Sequence, residues 1–544
     1  MIRISHDAQR NRTLEGLAWL LGAPVLAWFI GNWILGEDVG SVIAGGMILA
    51  GIILAIAILS RWRLGLYLFL VWIVFEDMAR KYLGNSIYAF FGKDILVGFV
   101  YAAFFFRRGP RAEKLFRPSF WLPLVAFFLW ATMEAFNFQT PSPLYGLLGL
   151  KLYFYYVPLM FVGYALVRTE FELRRFLVFN LAIAGVVALL GAVQAIWGQS
   201  LLNPAVLDEN LQELGDLSRV TPISGLIFNR PTSVFVSDGR FGAYLILMLI
   251  LSLSAMGYFI QRKWVWSKIV YIAFGLIFVA TLLSGVRTAL IFGAITTIIM
   301  LTAIYRGSKF GLDQLRRIFR TMRRLLLLGA VGVVCLVFFF PKALGSRWAF
   351  YTETLTPNSR GSELHNRLWD YPLINLEIAT SSTDSLLGRG LGTASLGTQY
   401  VTRFLHAPAP GLAVENGYGQ MLLEMGIPGL LLWMIFSSAI VFSCWSVVKR
   451  LRHTPLYAIG FGIFWYTVLV LFPLTYVGLS TYQNYLVTAF LWILIGILFR
   501  LPLLLKPVPA EQLAAQQAGF RSSVLDQSLL PVHRPMPQPP PKSI

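Results

Sequence analysis

The sequence predicts an all-α, polytopic integral membrane protein with about 14 transmembrane helices. Two observations support this fold class. Hydrophobic residues make up 57% of the chain and charged residues only 13%, whereas about a quarter of a soluble domain is charged. The apolar residues also form blocks near the ~20 residues with which an α-helix crosses about 30 Å of hydrocarbon. No β-barrel alternation accompanies these blocks, so we expect a helical bundle.

The predicted spans follow one another along most of the chain. They are 14–35, 39–59, 64–83, 93–106, 119–136, 146–167, 175–197, 240–260, 268–284, 287–305, 324–341, 421–448, 456–477 and 483–504. The first block lacks a small-residue cleavage site and further blocks follow it, so we interpret it as a retained helix. The two blocks around Ser284 are open to a different division.

The basic residues predict the orientation of the bundle. If the amino terminus is cytoplasmic, most of the 45 Lys and Arg residues fall in cytoplasmic segments, as the positive-inside rule requires. Both termini are then cytoplasmic. The formal net charge of +19 reflects topology and contact with anionic lipids. The basic clusters lack the interleaved aromatic residues of a nucleic-acid surface, so no nucleic-acid partner is expected.

Two long connections, 198–239 and 342–411, lie on the predicted outer side. They suggest a division into a bundle of eleven helices, a large extracytoplasmic catalytic loop, three last helices and a disordered Pro-rich cytoplasmic tail: 1–341, 342–415, 416–505 and 506–544. The large loop contains an amphipathic stretch, 362–379, and then "GRGLGT". We interpret "GRGLGT" as a turn, because no strand–helix context surrounds it.

Ionisable residues inside apolar segments need partners or water. Lys151 lies in such a segment, and Glu134 is its predicted partner. Asp94 in "GKDILVG" is predicted to cap a helix near the outer surface together with Lys93, although it could also line an acceptor groove.

Several basic residues on the predicted outer side are not explained by topology: Arg219, Arg230, Arg240, Arg287, Arg347, Arg360, Arg367, Arg389 and Arg403. Arg287 stands out because it lies in "TLLSGVRTALIFGAI", between two apolar runs and without a carboxylate nearby in sequence. One interpretation is an arginine that extends to the lipid headgroups. The other is an anion-binding site, since charges flanked in this way mark functional positions.

Three segments carry a resemblance to a known family. They are "SGVRTAL", "RLWDYPLINLEIATSSTDSLLGRGLGT" and "ENGYGQMLLEMGIPGLLLW", which begin at Ser284, Arg367 and Glu415. Their sequence and order are similar to those of the O-antigen ligase/polymerase superfamily, membrane glycosyltransferases of the GT-C type that use polyprenyl-diphosphate-linked glycans. Two departures are visible. Trp369 comes one or two positions early, and Glu415 occupies the place where the ligases usually have His.

The resemblance implies a multi-pass enzyme of the bacterial inner membrane that polymerises undecaprenyl-diphosphate-linked repeat units at the outer, periplasmic face, producing O-antigen or exopolysaccharide. Its implied partners are the lipid-linked donor and acceptor, the bilayer, and other assembly proteins such as a chain-length regulator or a flippase. The Glu in place of His favours a polymerase. A ligase or O-oligosaccharyltransferase remains an alternative. A transporter or flippase is another, although no clear internal repeat supports it.

The implied chemistry assigns roles to the candidate residues. Arg287 and Arg367 would neutralise the leaving diphosphate, because guanidinium groups match phosphate oxygens bidentately. No metal or other cofactor is then expected in this inverting transfer. Glu415 would deprotonate the acceptor hydroxyl, with His406 or His365 as alternative bases. The predicted substrate-binding residues are Asn416, Arg240, Arg389 and His406.

The segment after Glu415 has two further features. Glu424 is predicted to support the helix or a neighbouring polar group rather than to contact substrate. Gly426, Pro428 and Gly429 predict a helix break or a point of close packing.

Overall fold

The computed structural model describes residues 51, 53–82, 87–106, 116–203, 218–221, 223–262, 267–308, 316, 323, 338, 341–355, 369–381, 386–396, 398–405 and 416–505. These residues are mostly helical. Seven of the described helices are long and apolar enough to cross a membrane. The structure therefore confirms a helical protein of membrane type, whereas the total of about 14 spans stays a prediction.

The helices of the first half begin with α1 and end with α9. They are α1 (Trp62–Tyr82), α2 (Ile87–Phe106), α3 (Trp121–Ala135), α4 (Pro143–Phe154), α5 (Leu159–Leu166), α6 (Glu170–Trp197), α7 (Asp238–Arg262), α8 (Ser267–Leu283) and α9 (Arg287–Gly307). Between α6 and α7 lie a 3₁₀ turn (Gln199–Leu201) and two short strands, β1 (Ser218–Val220) and β2 (Ile227–Asn229). The predicted all-α fold did not include this hairpin.

The second half contains α10 (Pro341–Leu355), α11 (Tyr371–Thr380), α12 (Thr398–Leu405), α13 (Gly417–Leu451), α14 (Tyr457–Leu469) and α15 (Tyr485–Leu504). Between α14 and α15 the chain forms a π-helical segment (Val470–Leu474) and two short helical turns (Thr475–Val477 and Leu479–Gln483). The core is apolar and aromatic, with Trp433 and Trp492 among its largest fully buried side chains.

The predicted spans that lie largely within the described residues each coincide with helical segments, although 146–167 is divided between α4 and α5. Seven such stretches are long and apolar enough to cross a membrane, and the others stay predictions as spans. Span 14–35 and most of spans 39–59 and 324–341 lie outside the described residues. The division near Ser284 is confirmed, because α8 ends at Leu283 and α9 begins at Arg287. Gly285 adopts a φ of +69° in this break, a backbone conformation that glycine tolerates best.

One end of the bundle, which we call the basic end, collects segments that the sequence places on the cytoplasmic side. Arg63 at the start of α1 pairs with Glu172 in the first turn of α6. Arg262 at the end of α7 pairs with Glu170. The N–H of His453, beyond α13, donates to the carbonyl of Gly307 at the end of α9 over 2.8 Å.

The other end, which we call the hairpin end, contains the antiparallel pair β1–β2, in which Ser218 faces Asn229. Lys81, in the last turn of α1, donates to the carbonyl of Ser233 over 2.8 Å. Gln194, in the last turn of α6, accepts the N–H of Ser233 over 2.7 Å. Segments predicted to be outer therefore meet at this end of the bundle.

Helix α10 covers the hairpin. The rings of Phe228 and Phe350 lie 5.0 Å apart between their centroids. The guanidinium of Arg347 donates to the carbonyl oxygens of Ala195 and Asn229 over 3.0 and 2.9 Å. These contacts join α10, which follows α9 in the chain, to the end of α6 and to β2.

The segment "GRGLGT" is a turn bound to α13, as predicted. Gly388, Gly390 and Gly392 have φ values of +113°, +100° and +85°. The N–H groups of Arg389 and Gly390 donate to carbonyl oxygens of α13 over 2.8 and 3.2 Å. The predicted break in α13 is also confirmed, since Gly426 has non-helical angles of φ 65° and ψ −170°.

Candidate anion site at the hairpin end

Arg287 lies where α9 begins and is half-buried. Its guanidinium carbon is 5.5 Å from the centre of the Phe350 ring, and that of Arg230 is 5.2 Å from the same ring. Burial lowers the pKa of Arg230, and the positive charges of Arg219 and Arg287 lower it further, in opposition to Asp238. The sequence-predicted Arg287 therefore belongs to a group of neighbouring arginines.

We call this group, Arg219, Arg230, Arg287 and Arg347, the arginine cluster. Arg230 forms an ion pair with Asp238 at 2.6 Å. Burial lowers the pKa of Arg347 to about 10, which keeps this guanidinium protonated at neutral pH. The other carboxylate here, Glu353, accepts the N–H groups of Ile223 and Ser224 over 2.7 and 3.1 Å. Within the described part of the chain, guanidinium groups outnumber carboxylates in this region.

A cavity of about 330 Å³ lies beside these residues. Its lining contains Gly239, Gly242, Ala243, Ile246, Val286, Thr288, Ala289, Gln420, Leu474, Val477, Gly478, Ser480 and Thr481. We call it the three-helix cavity, because the first turns of α7, α9 and α13 all contribute to it. The amino-terminal end of a helix carries roughly half a positive charge. Three such ends therefore favour an anion in or beside the cavity.

Arg240, a predicted substrate-binding residue, follows Gly239 of the cavity wall. Its guanidinium contacts both carboxylate oxygens of Asp77 at 2.7 and 2.8 Å. Asp77 also accepts from Arg80 over 3.0 Å and from the hydroxyl of Tyr485 over 3.1 Å. Arg240 is thus engaged in an internal ion pair. A phosphate group would have to share the Arg240 guanidinium with Asp77 or displace Asp77 from it.

Sequence reasoning did not select the partners of Arg240. The segment "FEDMARKY" of α1 places Glu76, Asp77, Arg80 and Lys81 in buried positions, each at most 3% exposed. Lys93 of α2 contacts Glu76 at 2.9 Å. The sequence does contain a signal for this cluster. Four ionisable residues occur within a stretch of six positions inside an apolar helix, and such residues mark functional or paired positions.

The predicted partner of Lys151 is wrong. Lys151 of α4 contacts Asp94 of α2 at 2.6 Å, whereas Glu134 accepts from the amide of Asn137 over 2.9 Å. Asp94 is not a helix cap beside Lys93, because it lies well inside α2, which begins at Ile87. Neighbouring positions on α2 point to different helices, so Lys93 and Asp94 have different partners.

Asn416 is the amino-terminal cap of α13 and is fully buried. Its side-chain oxygen accepts the N–H of Gly419 over 2.9 Å, and its amide donates to the carbonyl of Tyr476 over 2.9 Å. These two bonds fix the start of α13 beside the three-helix cavity, one turn before Gln420. The contact of Asn416 with substrate stays a prediction.

Other predicted site residues lie outside the described residues: Glu415, Arg367, His406 and the alternative base His365. Arg389 is described. Its backbone is bound to α13, and its half-buried side chain makes no hydrogen bond or ion pair with the described residues. Glu424 supports the adjoining loop as predicted, because it accepts from the Ser395 hydroxyl over 2.6 Å and from the Ala394 N–H over 3.0 Å.

The chain was compared with known proteins at three levels. No protein-family model, curated protein or solved structure matches it. The chemistry of the hairpin end is therefore inferred from its own residues: an excess of guanidinium groups, the first turns of three helices, and a cavity with both polar and apolar walls.

Proposed function

We propose that this protein is a membrane glycosyltransferase that polymerises polyprenyl-diphosphate-linked repeat units into a surface polysaccharide at the outer face of the bacterial inner membrane. The arginine cluster beside the three-helix cavity carries this proposal. A lipid diphosphate needs cations for its charge and an apolar route for its chain. The cavity provides a wall of Ile246, Leu474 and Val477 next to three helix amino termini.

In the proposed reaction, the oxygen of an acceptor hydroxyl attacks the anomeric carbon of the donor sugar. The bond from that carbon to the diphosphate oxygen breaks, and the lipid diphosphate leaves with the electron pair. Arg287, joined by Arg367 from the sequence prediction, neutralises the developing charge. A unit charge pair at about 4 Å is worth roughly 4 kcal/mol at an effective dielectric near 20, which is about a thousandfold in rate if it arises only in the transition state.

The acceptor proton passes to Glu415 in this scheme. Glu415 directly precedes Asn416, the cap of α13, and the first turn of α13 supplies Gln420 to the cavity wall. A carboxylate near a helix amino terminus is stabilised in its ionised form, the form that accepts a proton. One direct displacement with this base inverts the anomeric centre.

The proposal is tested in a strain that lacks the protein. A polymerase defect requires single lipid-linked repeat units to accumulate, which chromatography of extracted lipid-linked glycans measures. Arg306 provides a matched control, because it is an exposed arginine at the opposite end of α9 from Arg287. We expect Arg306→Ala to restore long chains and Arg287→Ala to restore almost none at equal protein level.

The same assay separates the alternatives. Single units on the core lipid or on protein would remain in a polymerase defect, whereas a ligase or O-oligosaccharyltransferase defect leaves complete chains on the carrier lipid. A flippase defect leaves repeat units at the cytoplasmic face, where an outer glycosidase cannot reach them. Complete chains on the carrier lipid, or repeat units that the glycosidase cannot reach, would contradict a polymerase. Equal activity of Arg287→Ala and Arg306→Ala would contradict the arginine site.

A separate set of variants tests which residue is the base. Glu415→Gln keeps the shape of the side chain but removes the proton acceptor, so we expect a loss of roughly 10²- to 10⁴-fold. Glu415→His restores the residue type of the ligases and should retain part of the activity. If Glu415→Gln is active while His406→Ala or His365→Ala is inactive, the base is that histidine.

A further inference from the structure

A second cavity, of about 840 Å³, lies at the basic end, far along α1 from the hairpin end. Its wall combines residues of α1 and α6 with those just before α1. Three of the lining residues are arginines, Arg61, Arg63 and Arg175. The proposed transfer reaction uses none of them, so this cavity calls for a separate explanation.

The charges in the wall do not balance. Its one lining carboxylate, Glu172, pairs with Arg63 and also accepts the N–H groups of Arg168 and Thr169 over 2.6 and 3.2 Å. Arg175 lies over the ring of Tyr67, with 5.5 Å from the guanidinium carbon to the ring centre. Within the described residues, neither Arg61 nor Arg175 forms an ion pair. Two guanidinium groups at the cavity are thus available to an anion.

The rest of the wall is apolar and follows the helices into the bundle. Leu64, Leu68 and Val71 recur every three or four residues along α1, and Phe179 comes from α6. Leu64 is 43% exposed, so this stripe opens to the outside of the bundle. Trp62, which stands between Arg61 and Arg63 in the chain, also lines the cavity. Tryptophan is common at membrane–water interfaces.

We propose that this cavity binds an anionic phospholipid. Its headgroup phosphate lies between Arg61 and Arg175, and one acyl chain follows Leu64, Leu68 and Val71. Guanidinium groups form strong charge-assisted bonds to phosphate, and basic pockets between transmembrane helices bind anionic headgroups. A free phosphate ion would not need the apolar stripe. The inference does not depend on the glycosyltransferase proposal.

The test uses the purified full-length protein in detergent and native mass spectrometry of bound lipid. Phosphatidylglycerol is compared with phosphatidylcholine of the same acyl chains, and inorganic phosphate is the competitor. We expect phosphatidylglycerol to bind preferentially and excess phosphate not to displace it. For the double variant Arg61→Gln/Arg175→Gln, we expect an affinity loss of about 30-fold.

Two further variants distinguish the site from general attraction to a basic surface. Arg450→Gln removes an exposed charge at the same end of the bundle, outside this cavity, and should leave binding unchanged. Leu68→Trp keeps every charge but fills the apolar stripe, and it should weaken phosphatidylglycerol binding while the fold is retained. An equal loss in Arg450→Gln, equal binding of phosphatidylcholine, or displacement by inorganic phosphate would overturn the proposal.

Discussion

Two carboxylates at opposite ends of the bundle accept from the same types of side chain, two arginines and one tyrosine, and Asp77 also accepts the N–H of Val236 over 3.3 Å. At the hairpin end, Asp77 accepts from Arg80, Arg240 and the hydroxyl of Tyr485. At the basic end, Glu170 accepts from Arg174, Arg262 and the hydroxyl of Tyr258. The side chain of Asp77 is 0% exposed, whereas that of Glu170 is 23% exposed. The two ends therefore differ in solvation rather than in chemistry.

This difference determines what each group of charges can do. Glu170 remains near water, where ion pairs contribute only about 0–1 kcal/mol. Asp77 is removed from water, so its loss would take from Arg80 and Arg240 the buried carboxylate that both of them bind. The basic end is thus a loosely held charged surface, and the hairpin end is a fixed set of charges.

The largest effect is expected when Asp77 is neutralised. Asp77→Asn removes the buried carboxylate that Arg80 and Arg240 share, and we expect a loss of about 3–5 kcal/mol in the free energy of unfolding. Glu170→Gln is the matched variant at the basic end, and it should cost about 1 kcal/mol or less. Unfolding of the purified protein in detergent, followed by circular dichroism during denaturation, measures both.

A double variant sharpens the same comparison. In Asp77→Asn/Arg240→Gln the most closely bound arginine is removed with its carboxylate, so the combined loss should be smaller than the sum of the single losses. Equal losses in Asp77→Asn and Glu170→Gln, or strict additivity in the double variant, would show that burial does not distinguish the two ends.

The part of the fold that could be predicted is the part that depends on neighbours in sequence. Apolar blocks predict where the helices lie, and the break at Ser284–Val286 follows from the polar and glycine residues between two mostly apolar blocks, α8 and α9. The "GRGLGT" turn and the break at Gly426 also followed from local backbone chemistry. Hairpin strands of three residues each, β1 and β2, are too short to produce a periodic pattern.

The pairing of charges could not be predicted, because it depends on which helices touch. Asp77 and Arg240 are 163 positions apart in the chain, and no single-sequence rule joins them. The sequence offers Glu134 as a possible partner of Lys151, but the observed partner is Asp94 on α2. The sequence singles out Arg287 as a candidate, and its role stays a prediction; its neighbours Arg230 and Phe350 are visible only in the fold.

A smaller effect is expected from the "GRGLGT" turn, which packs against α4 and α13. Gly392 has a φ of +85°, and a Cβ there would overlap the backbone carbonyl of Tyr145. Gly392→Ala should therefore cost about 2–4 kcal/mol through strain and overpacking. Gly275→Ala is the control, since Gly275 lies in α8 with open space around its Cβ position. It should be neutral or slightly stabilising in the same unfolding measurement, and a similar loss in both would contradict close packing of this turn.

The smallest effect concerns Glu353 of α10, which binds the β1–β2 turn from an exposed position. Hydrogen bonds from the Ser224 hydroxyl and from the N–H groups of Ile223 and Ser224 lower the pKa of this carboxyl below 4.5. A lowered pKa in the folded state means that this contribution is present above about pH 4.5 and is lost as the pH falls through the folded-state pKa. Acidification should therefore loosen the contact between α10 and the turn.

Amide exchange of Ser224, expressed as a protection factor to remove the intrinsic effect of pH, measures this contact. At pH 7 we expect less protection in Glu353→Gln than in the unmodified protein, because a neutral amide is a weaker acceptor than a carboxylate. Once the pH falls below the folded-state pKa of Glu353, the two proteins should converge, because the glutamate is then protonated. Glu170→Gln at the basic end should not change the protection of Ser224 at either pH. A difference between Glu353→Gln and the unmodified protein that persists below the folded-state pKa of Glu353 would mean that Glu353 holds the turn by shape and not by charge.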